Sequence, residues 1–182
     1  MPLRRASAVV ACVLALASPG AVRAETFTVT STNDSGPGSL RQAITSANAS
    51  SDTSSTIVFS LPAGSTIVLS SQLPPVDTPT LIFDATSGPG VTIDGSAAII
   101  TDSGPSANQV TFRSLSFTNG QIDFLGTLTY DEPGSSSIDG DLSGALGLRF
   151  IKTGVGTTTI TAGGTVDLVS PIATPRTARA SG

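Results

Sequence analysis

From Phe27 onward the chain is a succession of very short apolar runs, each closed by Gly, Pro, Asn, Asp or Ser. The runs are Phe27–Thr30, Thr56–Phe59, Thr66–Leu69, Leu81–Phe83, Val91–Ile93, Ala98–Ile100, Val110–Phe112, Leu115–Phe117 and Ile122–Phe124. Their β-branched and aromatic content reads as strand. Turn marks lie between them at Ser35-Gly36-Pro37-Gly38, Pro62-Ala63-Gly64, Ser87-Gly88-Pro89-Gly90, Asp94-Gly95 and Asn119-Gly120. Short, regularly spaced strands fit either a sandwich or barrel, or a β-solenoid. Few of the gaps are two-residue hairpin loops. The phrases also echo one another: Thr66–Leu69 follows Thr56–Phe59, and Ser114–Thr118 weakly follows Val91–Asp94. Loose self-similarity favours stacked coils.

Charge supports the same reading. Only 12% of the residues are charged, against about a quarter in an average soluble domain. In a coil stack each side chain lies about 4.8 Å from its counterpart above and below. That spacing rewards rows of Val, Ile, Thr and Asn and penalises stacked like charges. The expected fold class is therefore all-β, a solenoid, with one exception to the strands. Ser39 and Gln42 stand at capping-box spacing, and Leu40, Ala43, Ile44 and Ala47 mark one face at helical period. A helix is predicted over Leu40–Ala47, too short to persist unless its apolar face packs on something such as the top of the stack.

The first residues read as an address. Met1-Pro2-Leu3-Arg4-Arg5 is basic, Ala8–Ala17 is apolar, and Ala21-Val22-Arg23-Ala24 offers small residues near an exit site. This is the pattern of a cleaved secretory signal, and the apolar run is shorter than the roughly 20 residues a spanning helix needs. Val9-Val10-Ala11-Cys12 resembles a lipoprotein box, but the apolar run continues past Cys12. Cleavage after Ala24 would leave 158 residues, six basic and thirteen acidic, and no cysteine. An acidic chain repels nucleic acid and anionic lipid, so neither is expected as a partner.

Two segments resemble a known group. Val29–Ile44 (VTSTNDSGPGSLRQAI), Thr56–Pro62, Val91–Gly95 and Leu115–Gly120 resemble the N-terminal region of exported bacterial right-handed parallel β-helix proteins, including autotransporter passengers. Gly126–Tyr130, Ser137–Gly144 and Leu148–Thr161, with its Lys152-Thr153-Gly154 close, resemble the autotransporter-associated β-strand repeat. The resemblance implies a right-handed parallel β-helix with one short N-terminal capping helix. Expected segments are a signal at 1–24, a capped β-helix at 25–124, a repeat at 125–169 and a disordered tail at 170–182. It also implies export and a place at the cell surface or outer membrane, as a stalk or adhesin piece. Partners would be surface glycans or host proteins. The group usually ends in an outer-membrane barrel. Nothing after Val169 has the alternating strands of about 9–11 residues that a barrel needs, as a truncated or frame-shifted gene would also give. An uncapped last coil would invite edge-to-edge self-association.

The chain has no His. That excludes Ser-His-Asp and Cys-His machinery and histidine metal ligands. Some β-helix proteins cut acidic polysaccharides with clustered carboxylates, often with Ca²⁺ and a basic residue. The residues to weigh for such work are Asp84, Asp94, Asp102 and Asp123, with Arg113 as base. Asp94 and Arg113 would share a groove if the coils register so. The plainer reading puts Asp84 and Asp94 at strand ends, Asp102 in a turn and Asp123 on the solvent side of a strand. Asp139-Gly140-Asp141, with Asp131 and Glu132 upstream, has the start of a Ca²⁺ loop but lacks its closing Glu. A solvated turn serves equally. Lys152, the sole lysine, reads as a solvated guard at a coil edge, and Tyr130, the sole tyrosine, as a strand-surface residue or a sugar platform. Asn33-Asp34-Ser35 and Asn48-Ala49-Ser50 match the glycosylation triplet, which a bacterial resemblance makes uninformative. No catalytic residue, cofactor or metal site is assigned. The function expected is non-enzymatic, with a secreted polysaccharide lyase or hydrolase as the alternative.

Overall fold

The structure is a computed structural model that describes residues 24–88, 90–96, 99–101, 108–123, 126–131, 136–143, 149–153 and 158–161. The segment before Ala24 expected to be a signal, the tail expected at 170–182, Asp102, Phe124 and Glu132 lie outside the described residues. The strands are β1 (Ala24–Val29), β2 (Ser54–Phe59), β3 (Thr66–Val68), β4 (Thr80–Asp84), β5 (Val91–Asp94), β6 (Ile99–Thr101), β7 (Gln109–Arg113), β8 (Leu115–Asp123), β9 (Thr127–Asp131), β10 (Ser136–Ser143), β11 (Arg149–Thr153) and β12 (Thr158–Thr161). One helix, α1 (Leu40–Ala49), sits between β1 and β2.

Sheet one runs β1-β2-β4-β7-β9-β11, and sheet two runs β3-β5-β8-β10-β12, with β6 against the far end of β8. Every pairing is parallel. From β2 onward the chain passes back and forth between the sheets, so it winds as a parallel β-solenoid. In sheet one Ser54 pairs with Thr80, Thr80 with Gln109, Gln109 with Thr127 and Thr127 with Arg149. Successive turns therefore take 26, 29, 18 and 22 residues while the rows of the wall stay aligned.

Alternation decides what each strand buries. In β2 and β4 every second residue is buried, as a pleat with one face on a core requires. Register then stacks like on like: Phe27, Ile57, Phe83, Phe112 and Tyr130 form one inward column of sheet one. Ile67, Ile93 and Phe117 form its counterpart in sheet two. Phe112 joins the two, stacked on Phe83 at 5.0 Å and edge-on to Phe117 at 4.9 Å. Such aromatic pairs add about 0.5–1.5 kcal/mol beyond their burial. At one corner the Asn108 amide donates to the Val76 carbonyl at 3.0 Å from a buried position.

Two sequence expectations change here. Asn119-Gly120 does not turn the chain between two strands. β8 runs through it, and pairing to β10 skips from Thr118 opposite Asp139 to Gly120 opposite Gly140. Asn119 is the extra residue of a bulge, at φ 53°, a conformation Asn tolerates better than most. The bulge bends one strand across a corner, so its first half pairs with β5 and its second with β6. Tyr130 is not on the strand surface. It is fully buried, and its hydroxyl donates to the Leu115 carbonyl at 2.7 Å. It alternates with Leu128 on the inward side of β9, and the buried hydroxyl finds a partner across the coil.

The helix closes one end of the stack. Leu40, Ala43, Ile44 and Ala47 are buried, the face that the helical period selects, and α1 packs on β1 and β2. Ser39 caps it, its hydroxyl accepting from the Gln42 amide at 3.2 Å. The return half of the capping box is displaced by one residue. Gln42 Oε1 accepts from the Gly38 amide at 2.7 Å, while the Ser39 amide goes to the Gly36 carbonyl. Gly38, at φ 74°, is bound to be glycine, since a Cβ there would run into the Thr30 hydroxyl. The helix extends two residues past Ala47.

The far face of α1 latches the first turn. Arg41 donates to the Asp34 carboxylate at 2.7 Å, to the Ser71 carbonyl at 2.9 Å and to the Gln72 carbonyl. Seven residues on, Asn48 donates to the Pro75 carbonyl at 2.7 Å and accepts from the Asp77 amide at 3.0 Å. Both ends of the helix thus hold the backbone of residues 71–77, which has no strand ladder of its own there except at Val76.

Candidate functional site: a charged rail on one wall

The outward side of sheet one carries the densest charge among the described residues. Thr28, Val58, Asp84, Arg113, Asp131 and Thr153 follow one another in register down it. Each is the last or next-to-last residue of its strand, so the row borders the corner of the coil. Arg113 lies between two carboxylates, its Nη1 at 3.5 Å from Asp84 and its Nε at 3.2 Å from Asp131. The Thr153 hydroxyl donates to the other Asp131 oxygen at 3.0 Å. Alternating sign solves the stacking problem that identical charges would pose at this spacing. The Asp84 carboxylate also accepts from the Thr86 amide and hydroxyl. Partial burial works to raise its pKa. The Thr86 hydrogen bonds and then Arg113 outweigh it, and the group is held below its ordinary value.

Asp94 lies elsewhere. It ends β5 on sheet two, where its carboxylate accepts from the Asn119 side-chain amide at 3.2 Å and from the Ser96 amide and hydroxyl. The Asn119 bond first, and then the Ser96 amide, hold its pKa below the usual carboxylate value. Asp94 and Arg113 therefore do not share a groove. The residues that register with Asp94 are Val68 and Thr118; those that register with Arg113 are Asp84 and Asp131. The strand-end reading of Asp84 and Asp94 stands, each accepting from the amide two residues on. Asp123 stands opposite Thr101 and Ser143, half-exposed beside buried Ile122. Asp139 and Asp141 are placed by backbone opposite Thr118 and Gln121, within β10 rather than in a turn. The backbone also puts Lys152 opposite Tyr130. The side chains of these three lie outside the described residues.

Among the described residues two open hollows indent the surface. One of about 400 Å³ is lined by Ala24, Glu25, Ser50, Ser51 and Asp52, the other, of about 390 Å³, by Val58, Phe59, Ser60, Leu61 and Ser87. Neither includes Asp84, Asp94, Asp123 or Arg113. Among the described residues no group of three or more His, Cys, Asp or Glu side chains is placed to hold a metal ion, and no helix is long and apolar enough to cross a membrane.

The sequence carried a signal for the rail that spacing alone does not use. Leu81-Ile82-Phe83-Asp84, Val110-Thr111-Phe112-Arg113 and Leu128-Thr129-Tyr130-Asp131 are one four-residue phrase written three times. Aligning them puts Tyr130 in the aromatic column and Arg113 between the two aspartates. The reach of the Arg41 latch to Ser71 and Gln72 has no comparable signal, because those two backbone carbonyls lie some thirty residues away.

No family model, curated protein or solved structure matches this chain.

Proposed function

We propose that this chain is a non-enzymatic, exported β-solenoid that works at the cell surface, as the stalk or adhesin piece of an autotransporter-type passenger. The observation behind the reading is how its carboxylates are engaged. Asp84 and Asp131 bond to Arg113, Asp94 to Ser96 and Asn119, and Asp34 to Arg41 and Ser70. Each neutralises or satisfies a neighbour on the wall, and the four are spread over two sheets and a cap. A polysaccharide-cleaving β-helix needs carboxylates gathered to face substrate or Ca²⁺. A stalk needs a uniform ladder with satisfied edges.

Two experiments test the proposal. Purified protein with pectin-type polyuronate and Ca²⁺ is expected to release no unsaturated product. Release that Asp94→Ala abolishes would establish the lyase instead. Surface location is tested by shaving intact expressing cells with protease. Loss of the chain from shaved cells is expected, and full protection inside them rules out a surface role.

A further inference from the structure

We infer that Asn119 is a site of spontaneous backbone-assisted deamidation, and that the carboxylate it forms loosens the corner at which β8 passes from β5 to β6. The reaction needs an asparagine amide carbon within reach of the next residue's backbone nitrogen, with no side chain in the way. Four asparagines occur in the chain, Asn33, Asn48, Asn108 and Asn119, and only Asn119 precedes glycine. The other three are placed to resist. Asn108 is buried with its amide on the Val76 carbonyl. Asn48 lies in a helix and is held at both amide atoms by Pro75 and Asp77. Asn33 is exposed but precedes Asp34, whose side chain crowds the attacking nitrogen. Asn119 is exposed, and it is the residue that the pairing of β8 with β10 skips.

The chemistry balances with water alone. The Gly120 nitrogen attacks Asn119 Cγ and gives up its proton, the Cγ–Nδ2 bond breaks, and ammonia leaves. Water then opens the cyclic imide at either carbonyl, yielding aspartate or its β-linked isomer. The aspartate product puts a carboxylate where the Asn119 amide had donated to Asp94 at 3.2 Å, and the β-linked product carries a new carboxylate on Cα at the same bulge. A hydrogen bond becomes a like-charge contact, and the β-linked product adds a backbone atom inside the bulge.

The test is timed incubation of the folded protein at mildly alkaline pH, followed by peptide mapping. Conversion at Asn119 ahead of the other three is expected. Gly120→Ala should slow it by roughly tenfold, because a Cβ obstructs the nitrogen's approach. Conversion of another asparagine first, or an unchanged rate in Gly120→Ala, overturns the site. For the consequence, Asn119→Asp should lower the melting temperature at pH 7, and Asp94→Asn in the same chain should restore it. An Asn119→Asp protein as stable as the parent, or no restoration, overturns the coupling to Asp94.

Discussion

Tyr130 on sheet one donates its hydroxyl to the main-chain carbonyl of Leu115 on sheet two, 2.7 Å away and out of reach of solvent. The bond crosses the interior of a coil, so it ties the two walls at the level where the last described inward aromatic is stacked. Tyr130→Phe keeps the ring and leaves the carbonyl without that donor. The expected cost is about 1–2 kcal/mol, whereas Tyr130→Ala should cost about 3–5 kcal/mol through the cavity it opens. Denaturant unfolding of both variants checks the ranking, and a Tyr130→Phe protein as stable as the parent would mean that the hydroxyl contributes nothing.

Ser55 predicts a gain. It occupies the inward column that continues through Leu81, Val110 and Leu128, fully buried, with a hydroxyl that meets no hydrogen-bond partner. Ser55→Ala removes the desolvated group at almost no change in volume. The protein should become more stable by about 1 kcal/mol. A loss of stability on thermal melting would show that the hydroxyl is satisfied in solution.

The rail predicts a small, salt-sensitive effect. Arg113 is more than a third exposed, at 37% of its side chain, so its two ion pairs are screened. Arg113→Gln should cost under about 1 kcal/mol at ordinary ionic strength. Arg113→Asp lines up three like charges and should cost more, with the difference shrinking in high salt. Melting both variants at low and high salt measures this, and a salt-independent gap between them would remove electrostatics as the cause.

Acid should weaken the cap. The Ser70 hydroxyl holds the Asp34 carboxyl below its ordinary pKa, burial opposes it, and Arg41 adds to the lowering. A group with a lowered folded pKa stabilises the protein fully above its unfolded value near 4 and loses that contribution as pH falls through the folded value. The melting temperature should therefore drop as pH falls below about 4. Asp34→Asn should start lower at pH 7 and drop less. Parallel curves for parent and variant between pH 7 and pH 2 would exclude Asp34 from the transition.

The sequence announces the local features and hides the distant ones. Leu40, Ala43, Ile44 and Ala47 mark their helix face because four residues suffice to define it. Val91–Asp94 and Leu115–Thr118 echo each other because they lie one above the other in register. The aromatic column was harder to find, since turns of 26, 29, 18 and 22 residues give no fixed period to search. Tyr130 reads as a strand-surface residue for that reason. Asn119-Gly120 misled in the other direction, because the dipeptide that serves a hairpin also serves a bulge. The Arg113 pairings depend on which strand lies above which, and Arg41 on carbonyls that carry no side-chain signature.

Those unequal turns bear on how such a chain is able to change. Residues added to one arc leave by the corner and do not push the next row out of line, because ladder bonds and the inward column fix the rows. Length is thus a free variable at the corners and a fixed one on the walls. Insertion scanning would find the arcs permissive and the strands intolerant, and new recognition loops can be grafted there without redesigning the shaft that carries them.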